Sequence, residues 1–246
     1  MNAGTLARLA AFTTDPRGGN PAGVWTGDAL PDAATMQRIA AEVGFSETAF
    51  LAPERGFDRT ARYYSPLAEV SFCGHATIAA GSVLGETNGD GTYRLSTLVG
   101  EVPVRVETRA VDGVDGVDSL KVSTLTSVAP EQSAASDALV EEFLALLGWT
   151  RGDLDPAIPP VKAYAGAWHL VLAAARLERL ATLEYDFEAA KAAMNREDLT
   201  TLQLVHRERP DLFHARNPFP VGGVVEDPAT GASAAALGGY LRALSL

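Results

Sequence analysis

Short apolar runs separated by turn-forming residues dominate the pattern of the chain. Period-two alternation and β-branched or aromatic residues predict strands, and these cover residues 6–12, 22–25, 48–51, 93–97, 102–107, 120–123, 161–164, 169–173, 202–206, 212–215 and 223–225. Ser65-Pro66 interrupts any strand that includes Tyr63 and Tyr64, because proline cannot donate a ladder hydrogen bond. The pattern therefore predicts a protein built mainly from short strands.

A smaller number of segments has the apolar spacing of helices. Asp32 is a candidate N-cap for a helix over residues 33–43. The other predicted helices cover residues 75–84, 137–147, 187–195 and 231–244, with a short helix or turn at 177–183. A run of strands with a late helix occurs twice, which indicates a loose internal duplication. The Ser-, Ala- and Pro-rich residues 127–136 are the candidate linker, so we predict halves at residues 1–126 and 127–246.

Two predicted helix starts share a small-residue composition. Residues 73–77 (Cys-Gly-His-Ala-Thr) and 227–233 (Asp-Pro-Ala-Thr-Gly-Ala-Ser) are turns that each lead into an alanine-rich helix. The first N–H groups of a helix have no intrahelical partner and carry partial positive charge, so they can bind a carboxylate or phosphate. The two starts predict one anion held between the two halves.

Composition and charge exclude several classes of partner. The 246 residues carry 20 Lys and Arg against 31 Asp and Glu, and the formal net charge of −11 argues against nucleic acid and anionic membranes. The N-terminus lacks a signal-peptide pattern, no apolar run is long enough to span a bilayer, and Cys73 is the only cysteine. We therefore expect a cytoplasmic protein without disulfides.

Metal-binding signals are weak in the sequence. Residues 111–116 (Val-Asp-Gly-Val-Asp-Gly) look like a calcium-loop repeat, but a hairpin loop built on Asp-Gly turns is the favoured interpretation. The four histidines show no metal-ligand spacing. His169, His206 and His214 lie on strand-like segments and are expected to be structural. We therefore predict no metal site.

Glu47 and His75 are the first candidates for proton transfer. Glu47 precedes an apolar strand, and it is either a solvated surface residue or a pocket carboxylate that exchanges protons. His75 stands at a predicted helix start, and it is either a surface or capping residue or a neutral imidazole that hydrogen-bonds a substrate. The residues alone leave these alternatives open.

Cys73 and Asp227 also admit two interpretations. A thiolate at Cys73 would be stabilised by the helix start, but residues at i and i+2 rarely form the hydrogen bond of a catalytic pair. A small buried cysteine is therefore favoured over a nucleophile that uses His75. Asp227 is either a turn former or a carboxylate beside the second anion site, paired with a histidine. With no second cysteine and no Gly-x-Ser-x-Gly elbow, a hydrolase or thiol-dependent enzyme is a weaker hypothesis.

Four stretches match the motifs of one family. They are residues 12–24 (Phe-Thr-x-Asp-Pro-x-Gly-Gly-Asn-Pro-Ala-Gly-Val), 44–50 (Gly-Phe-Ser-Glu-Thr-Ala-Phe), 64–77 (Tyr-Ser-Pro-x-x-Glu-Val-x-x-Cys-Gly-His-Ala-Thr) and 226–231 (Glu-Asp-Pro-Ala-Thr-Gly). In this order and spacing the set resembles the phenazine-biosynthesis (PhzF-like) isomerases, relatives of diaminopimelate epimerase. Any one stretch is weak evidence, whereas the set is specific and spans nearly the whole chain.

The resemblance implies an α+β fold of the diaminopimelate epimerase type. Each of two pseudo-symmetric halves would be a curled, mostly antiparallel sheet around a central helix, with the site in the cleft between them. The resemblance makes Glu47 the acid–base residue and puts His75 and Asp227 in the pocket, so these are the candidate catalytic residues. The candidate substrate-binding residues are Asn20, Gly74, Thr230, Gly231, Ala232 and Ser233.

Three features of the chain depart from the family or its relatives. The epimerase relatives use one cysteine at each helix start, but Pro228 stands at the second place, so racemisation by two thiols is not available. The family usually has serine where Ala232 stands, and Ala232 keeps the N–H group without the hydroxyl. Family members usually continue with further strands, so we expect a second half shortened at its end. Its exposed edge and the resemblance predict a homodimer.

The leading hypothesis is a cofactor-independent isomerase that acts on a small carboxylated metabolite. Glu47 would remove a proton from carbon and return it elsewhere, while His75 and Asp227 orient the substrate. This chemistry needs no metal and no organic cofactor, and no nucleic acid or membrane partner is expected. The alternative is a catalytically weak or inactive ligand-binding or interaction protein on the same fold, which Ala232 and the short C-terminus favour.

Overall fold

The fold divides into two compact units, residues 1–126 and 127–246. The computed structural model describes residues 4–15, 17–110 and 119–246. Each unit combines one curled sheet with helices, which confirms the α+β class. Among the described helices, none is long and apolar enough to cross a membrane.

In its described residues, the N-terminal unit is an eight-stranded sheet with two helices. Its strands are β1 (Thr5–Ala11), β2 (Asn20–Thr26), β3 (Glu47–Glu54), β4 (Phe57–Tyr64), β5 (Glu69–Val70), β6 (Gly91–Thr97), β7 (Gly100–Ala110) and β8 (Ser119–Leu125), and its helices are α1 (Ala33–Val43) and α2 (Gly74–Asn88). The strand order is β1-β2-β3-β4-β6-β7-β8, with β5 paired to β4. The pairs β2–β3 and β4–β6 are parallel, and the other pairs are antiparallel.

Helix α2 lies within the curl of this sheet. It contacts β1 and β2 near one edge as well as β7 and β8 at the other, so the sheet bends around it. Small residues permit this close approach. A Cβ atom at Gly81 would lie 2.7 Å from Cγ1 of Val104. A Cβ atom at Gly85 would lie 2.5 Å from Cγ1 of Val106. The small-residue sequence of α2 is therefore required for its packing.

The C-terminal unit is a six-stranded sheet. Its strands are β9 (Glu131–Ala134), β10 (Val161–Tyr164), β11 (Trp168–Ala173), β12 (Thr201–Arg209), β13 (Leu212–Pro218) and β14 (Glu226–Asp227), and its helices are α3 (Asp137–Leu146), α4 (Leu177–Ala181), α5 (Phe187–Arg196) and α6 (Gly231–Ala243). The order is β14-β13-β12-β11-β10-β9. The central pair β11–β12 is parallel, and the other pairs are antiparallel.

Both faces of this second sheet are covered, and strand β11 shows how. Its side chains alternate between the faces, as successive residues of a strand must. Leu170 and Leu172 pack in the cluster formed with α3 and α5, whereas Val171 and Ala173 pack in the cluster formed with α6. Because both faces are buried, the strand is a continuous apolar run rather than an alternating one.

Three of the helices begin with a side-chain cap. The caps are Asp32 for α1, Ser136 for α3 and Asp186 for α5, and they accept hydrogen bonds from the N–H groups of Thr35 (2.8 Å), Leu139 (3.2 Å) and Ala189 (3.0 Å). The predicted cap at Asp32 is thus confirmed. These caps satisfy N–H groups that the helices leave unpaired at their starts.

Two sequence predictions about the C-terminal unit are wrong. Residues 223–225 form a turn rather than a strand, because Gly223 is left-handed (φ 83°) and the following strand begins only at Glu226. Residues 131–134 form β9 although they lie in the predicted linker. All four side chains of β9 are exposed, so its sequence has no apolar alternation to reveal it. The predicted hairpin loop at residues 111–116 lies outside the described residues.

Candidate active site

The first turn of α2 forms without a side-chain cap. Cys73 occupies the N-cap position in an extended conformation (φ −144°, ψ 115°), and its side chain accepts no capping hydrogen bond. The first intrahelical bond runs from the N–H of Thr77 to the carbonyl of Cys73, at 3.0 Å. The N–H groups of residues 74–76 precede this bond and have no acceptor within the helix. The first turn contains no acidic residue, so no side chain of that turn neutralises the partial positive charge of the helix start.

Glu47, Cys73 and His75 meet at this helix start. The Nε2 atom of His75 lies 3.6 Å from Oε2 of Glu47, the first residue of β3. On the other side of the ring, Nδ1 of His75 lies 3.2 Å from Sγ of Cys73. The side chain of His75 is 6% exposed and that of Glu47 is 14% exposed. Their ligand atoms, with the Cys73 sulfur, lie within 4.8 Å of one another, so the three residues could also hold a metal ion.

The contact between Cys73 and His75 corrects one sequence expectation. Residues at i and i+2 were expected to form such a contact only rarely, yet the sulfur and the imidazole are within hydrogen-bond range. The reason is the extended backbone of the N-cap residue, which turns its side chain back over the first helical turn. Cys73 is buried, as the favoured interpretation predicted.

Three hydroxyl groups near this start were given no role by the sequence analysis. Ser46 places its Oγ 3.4 Å from Nε2 of His75. Thr77 donates a 2.7 Å hydrogen bond to the carbonyl of Cys73, and its hydroxyl also lies 2.7 Å from the buried phenol of Tyr63. Burial raises the pKa of Tyr63, so this phenol stays protonated. The Tyr63–Thr77 pair fixes the N-cap carbonyl, which no local sequence pattern would reveal.

Asn20 lies at the same end of the sheet as Glu47. Strands β2 and β3 are parallel neighbours, with Ala22 opposite Glu47, so the two strands start at one edge. Asn20 is the first residue of β2 and is fully buried. The structure thus places Asn20 and Glu47 at one edge of the sheet, and the substrate-binding role of Asn20 stays a prediction.

In the C-terminal unit, Asp227 lies four residues before α6. It is buried, and its Oδ2 accepts a 2.5 Å hydrogen bond from the hydroxyl of Thr230. Thr230 is the N-cap residue of α6, but its side chain does not cap the helix and the first turn has no acidic residue. Next to Asp227, Glu226 forms an ion pair with Arg216 (2.6 Å). The carboxylate of Asp227 is therefore held in one orientation beside an uncapped helix start.

Ser233 points its hydroxyl into the body of this unit. It donates to Oε1 of Gln203 and accepts from Nδ2 of Asn217 (3.1 Å), and all three residues are buried. Asn217 in turn pairs with Asp227 across β13 and β14. Ala232 has no hydroxyl, so a ligand at this helix start would meet the backbone N–H groups of residues 231–233, which have no acceptor within the helix.

The family model for phenazine biosynthesis-like proteins (PhzC-PhzF) matches residues 9–245. The chain belongs to this family. A Bacillus subtilis relative named as an uncharacterized isomerase is 29% identical over 98% of this chain and 82% of its own. A Deinococcus radiodurans relative with the same designation is 32% identical over 94% of this chain and 74% of its own. These relatives of the PhzF family support an isomerase class for the chain.

Solved structures support the same fold. A PhzF-family protein from Bacillus anthracis superposes with a TM-score of 0.83 at 24% identity, covering 98% of this chain and 80% of its own. A predicted epimerase from Pseudomonas aeruginosa gives a TM-score of 0.79 at 23% identity, covering 98% and 82%. A hydroxyproline epimerase from Agrobacterium vitis gives 0.59 at 14% identity, covering 98% and 77%. At these identities the likenesses concern the fold, and the predicted epimerase-like fold is confirmed.

Proposed function

We propose that this PhzF-family protein is a cofactor-independent isomerase in which Glu47 moves a proton between carbon atoms of a small carboxylated metabolite. The observation that carries the proposal is the pairing of Glu47 with His75, 3.6 Å apart, at an uncapped helix start. A carboxylate in this position can take a proton from carbon and return it elsewhere on a conjugated substrate. General acid–base catalysis of this kind contributes about 10²–10⁴-fold to the rate.

His75 is proposed to position the reaction rather than to supply the base. Its Nε2 faces both the Ser46 hydroxyl and the Glu47 carboxylate, while its Nδ1 faces Cys73. A ring held from both sides keeps one orientation, in which its Nε2 faces the carboxylate that takes the proton. The ring would also hydrogen-bond the substrate when Glu47 carries the transferred proton.

Substrate carboxylate groups are proposed to bind at uncapped helix starts. The N–H groups of residues 74–76 and 231–233 have no acceptor inside their helices, whereas α1, α3 and α5 use a side-chain oxygen there. Asp227 would orient a polar group of the substrate, because Thr230 fixes its carboxylate. That one ligand contacts both helix starts stays a prediction, and substitutions in each unit that weaken the same ligand would test it.

The second candidate is a ligand-binding protein without catalytic activity. Ala232 favours it, because the position lacks the hydroxyl that the family resemblance implies, and the neighbouring Ser233 hydroxyl is engaged with Gln203 and Asn217. Glu47 and His75 count against it, since binding alone does not require a carboxylate paired with an imidazole.

An exchange experiment tests the two candidates. Small cyclic and amino-substituted carboxylic acids are first screened by thermal shift, where a ligand at 100 times its Kd stabilises the protein by about 2.7 kcal/mol. Each stabilising ligand is then incubated with the protein in D₂O, and its carbon-bound hydrogens are followed by proton NMR. The isomerase predicts loss of one C–H signal and appearance of an isomer. Stabilisation by several ligands with no exchange in any of them would instead support the binding protein.

A further inference from the structure

The cluster at the start of α2 contains more chemistry than the proposed proton transfer uses. Glu47 and His75 suffice for that step, yet a thiol lies 3.2 Å from the same imidazole. We propose that Glu47, Cys73 and His75 form a site for a thiophilic divalent cation of the Zn²⁺ class, and that the bound cation inhibits the enzyme. Binding requires only this cluster, whereas the inhibition rests on the proposed function of Glu47.

The distances between the ligand atoms fit coordination of a shared cation better than a direct hydrogen bond. The 3.6 Å between Nε2 of His75 and Oε2 of Glu47 exceeds the range of an N–H···O hydrogen bond. With Zn–N and Zn–O bonds of about 2.0–2.2 Å, two ligands of a tetrahedral zinc ion lie about 3.4 Å apart. One imidazole nitrogen, the carboxylate oxygen and the sulfur lie within 4.8 Å of one another. The sulfur lies on the Nδ1 side of the ring and the carboxylate on the Nε2 side, so binding one ion requires Glu47 or Cys73 to rotate toward a single nitrogen.

The donor set selects the class of cation. A thiolate and an imidazole favour Zn²⁺ and its neighbours over Mg²⁺ and Ca²⁺, which prefer oxygen ligands. A dication with one thiolate and one carboxylate forms a neutral group, which suits side chains as buried as Cys73 and His75. Three protein ligands leave one position for water or a substrate carboxylate. The bound sulfur gives its proton to solvent, so binding should tighten as the pH rises.

Occupancy would stop the proposed reaction at a defined atom. The cation would take the lone pair of Glu47 with which the carboxylate removes a proton from carbon. Cys73 would then act as a metal ligand and not as a nucleophile, which accounts for a buried thiol next to the base without giving it a step in the reaction.

Cobalt titration tests the site without any substrate. The 246-residue chain is freed of metal with a chelator and titrated with Co²⁺, whose bond to a thiolate produces a charge-transfer band in the near ultraviolet. We expect one Co²⁺ per chain with this band, and displacement of the band by Zn²⁺ but not by Mg²⁺. The variants Cys73→Ser and Cys73→Ala should lose the band, and His75→Ala and Glu47→Gln should weaken Zn²⁺ binding at least tenfold, with folding checked by circular dichroism.

His214→Ala is the matched control, because this half-exposed histidine also lies beside a carboxylate, that of Glu208. It should bind Co²⁺ and Zn²⁺ as the wild type does. Absence of the band in the wild type, or equal Zn²⁺ affinity in the wild type and both folded cysteine variants, would overturn the site. Tight binding with the band but undiminished substrate exchange would overturn the inhibition and the role of Glu47, while leaving the site in place.

Discussion

The starts of α2 and α6 share a backbone arrangement and differ in the side chains around it. Neither has a side-chain cap or an acidic residue in its first turn. At α2 three ionisable side chains meet through contacts of 3.2–3.6 Å, those of Glu47, Cys73 and His75. At α6 one carboxylate, that of Asp227, accepts a 2.5 Å hydrogen bond from Thr230. The Glu47 carboxylate is therefore at a longer distance from its neighbour than the Asp227 carboxylate is from Thr230.

This difference suggests that the two units have different roles in the proposed reaction. A base must accept and release a proton during the reaction, so a long contact to a neighbouring imidazole serves it better than a short, strong hydrogen bond. A residue that only orients a ligand gains from being held, because misplacement costs rate. We therefore expect the N-terminal unit to supply proton transfer and the C-terminal unit to supply orientation.

Removing the base should give the largest effect. Glu47→Gln keeps the shape of the side chain and removes the proton acceptor, so turnover should fall by about 10²–10⁴-fold with the fold unchanged. The measurement is the rate of C–H exchange in D₂O on any substrate found. Glu42→Gln is the matched control, since Glu42 is exposed and pairs only with Arg38 among the contacts of its side chain given by the structure. Equal C–H exchange rates in Glu47→Gln and Glu42→Gln would show that Glu47 is not the base, which would contradict the proposed difference between the two units.

The sequence predicted much of the fold because most elements carry local signals. Asp32 caps α1 as expected, and the two alanine-rich helices start within a residue of their predicted positions. Strand β9 escaped prediction because its four residues are exposed and polar, and its pairing with β10 depends on tertiary contacts. The valines before β14 suggested a strand, but the left-handed Gly223 makes a turn there.

The candidate site was predictable in its residues and not in its contacts. The motifs singled out Glu47, His75 and Asp227, but spacing along the chain did not reveal that Cys73 contacts His75. Local histidine spacing also gave no sign of the three side chains that could hold a metal ion, because Glu47 comes from β3, far from α2 in sequence. Contacts that depend on strand register become visible only in the folded structure.

A buried histidine of the C-terminal unit makes the stability of the protein depend on pH. His169 in β11 is fully buried, its Nδ1 lies 2.8 Å from Oγ1 of Thr201, and desolvation lowers its pKa to about 4. The unfolded chain binds this proton at a pH near 6.5, so it holds more protons than the native state between about pH 6.5 and 4. Stability should therefore fall with decreasing pH in this window, by about 3 kcal/mol in full.

Urea unfolding at pH 7.5 and pH 4.5 measures this loss. His169→Gln lacks the titrating group, so its unfolding free energy should change much less between the two pH values, whatever its stability at pH 7.5. His206→Gln serves as the control, because His206 is only partly buried and bonds a backbone carbonyl. If the wild type and His169→Gln lose the same free energy, His169 is not a buried neutral histidine.

Asp227→Asn tests whether Asp227 orients the substrate without acting as the base. The amide keeps the size of the side chain but loses its charge, so a misplaced substrate should react about 10²-fold more slowly. Because Asp227 is proposed to orient and not to transfer the proton, the pH profile of the remaining activity should match that of the wild type. Asp211→Asn, at an exposed turn, is the control. A changed pH profile would show that Asp227 takes part in proton transfer, against the proposed division.

The smallest expected effect measures how much a side-chain cap contributes to the free energy of unfolding. The helices α2 and α6 differ from the capped helices because they lack such a cap. Ser136→Ala removes the oxygen that accepts from the N–H of Leu139, so the unfolding free energy should fall by about 1 kcal/mol while exchange activity is unchanged. Ser127→Ala, an exposed serine outside any helix, should change neither quantity measurably. If Ser136→Ala costs no stability, a missing cap is energetically neutral in this protein. The missing caps of α2 and α6 would then be no evidence for a bound ligand. The proposed binding at both helix starts would be supported by Glu47, His75 and Asp227 alone.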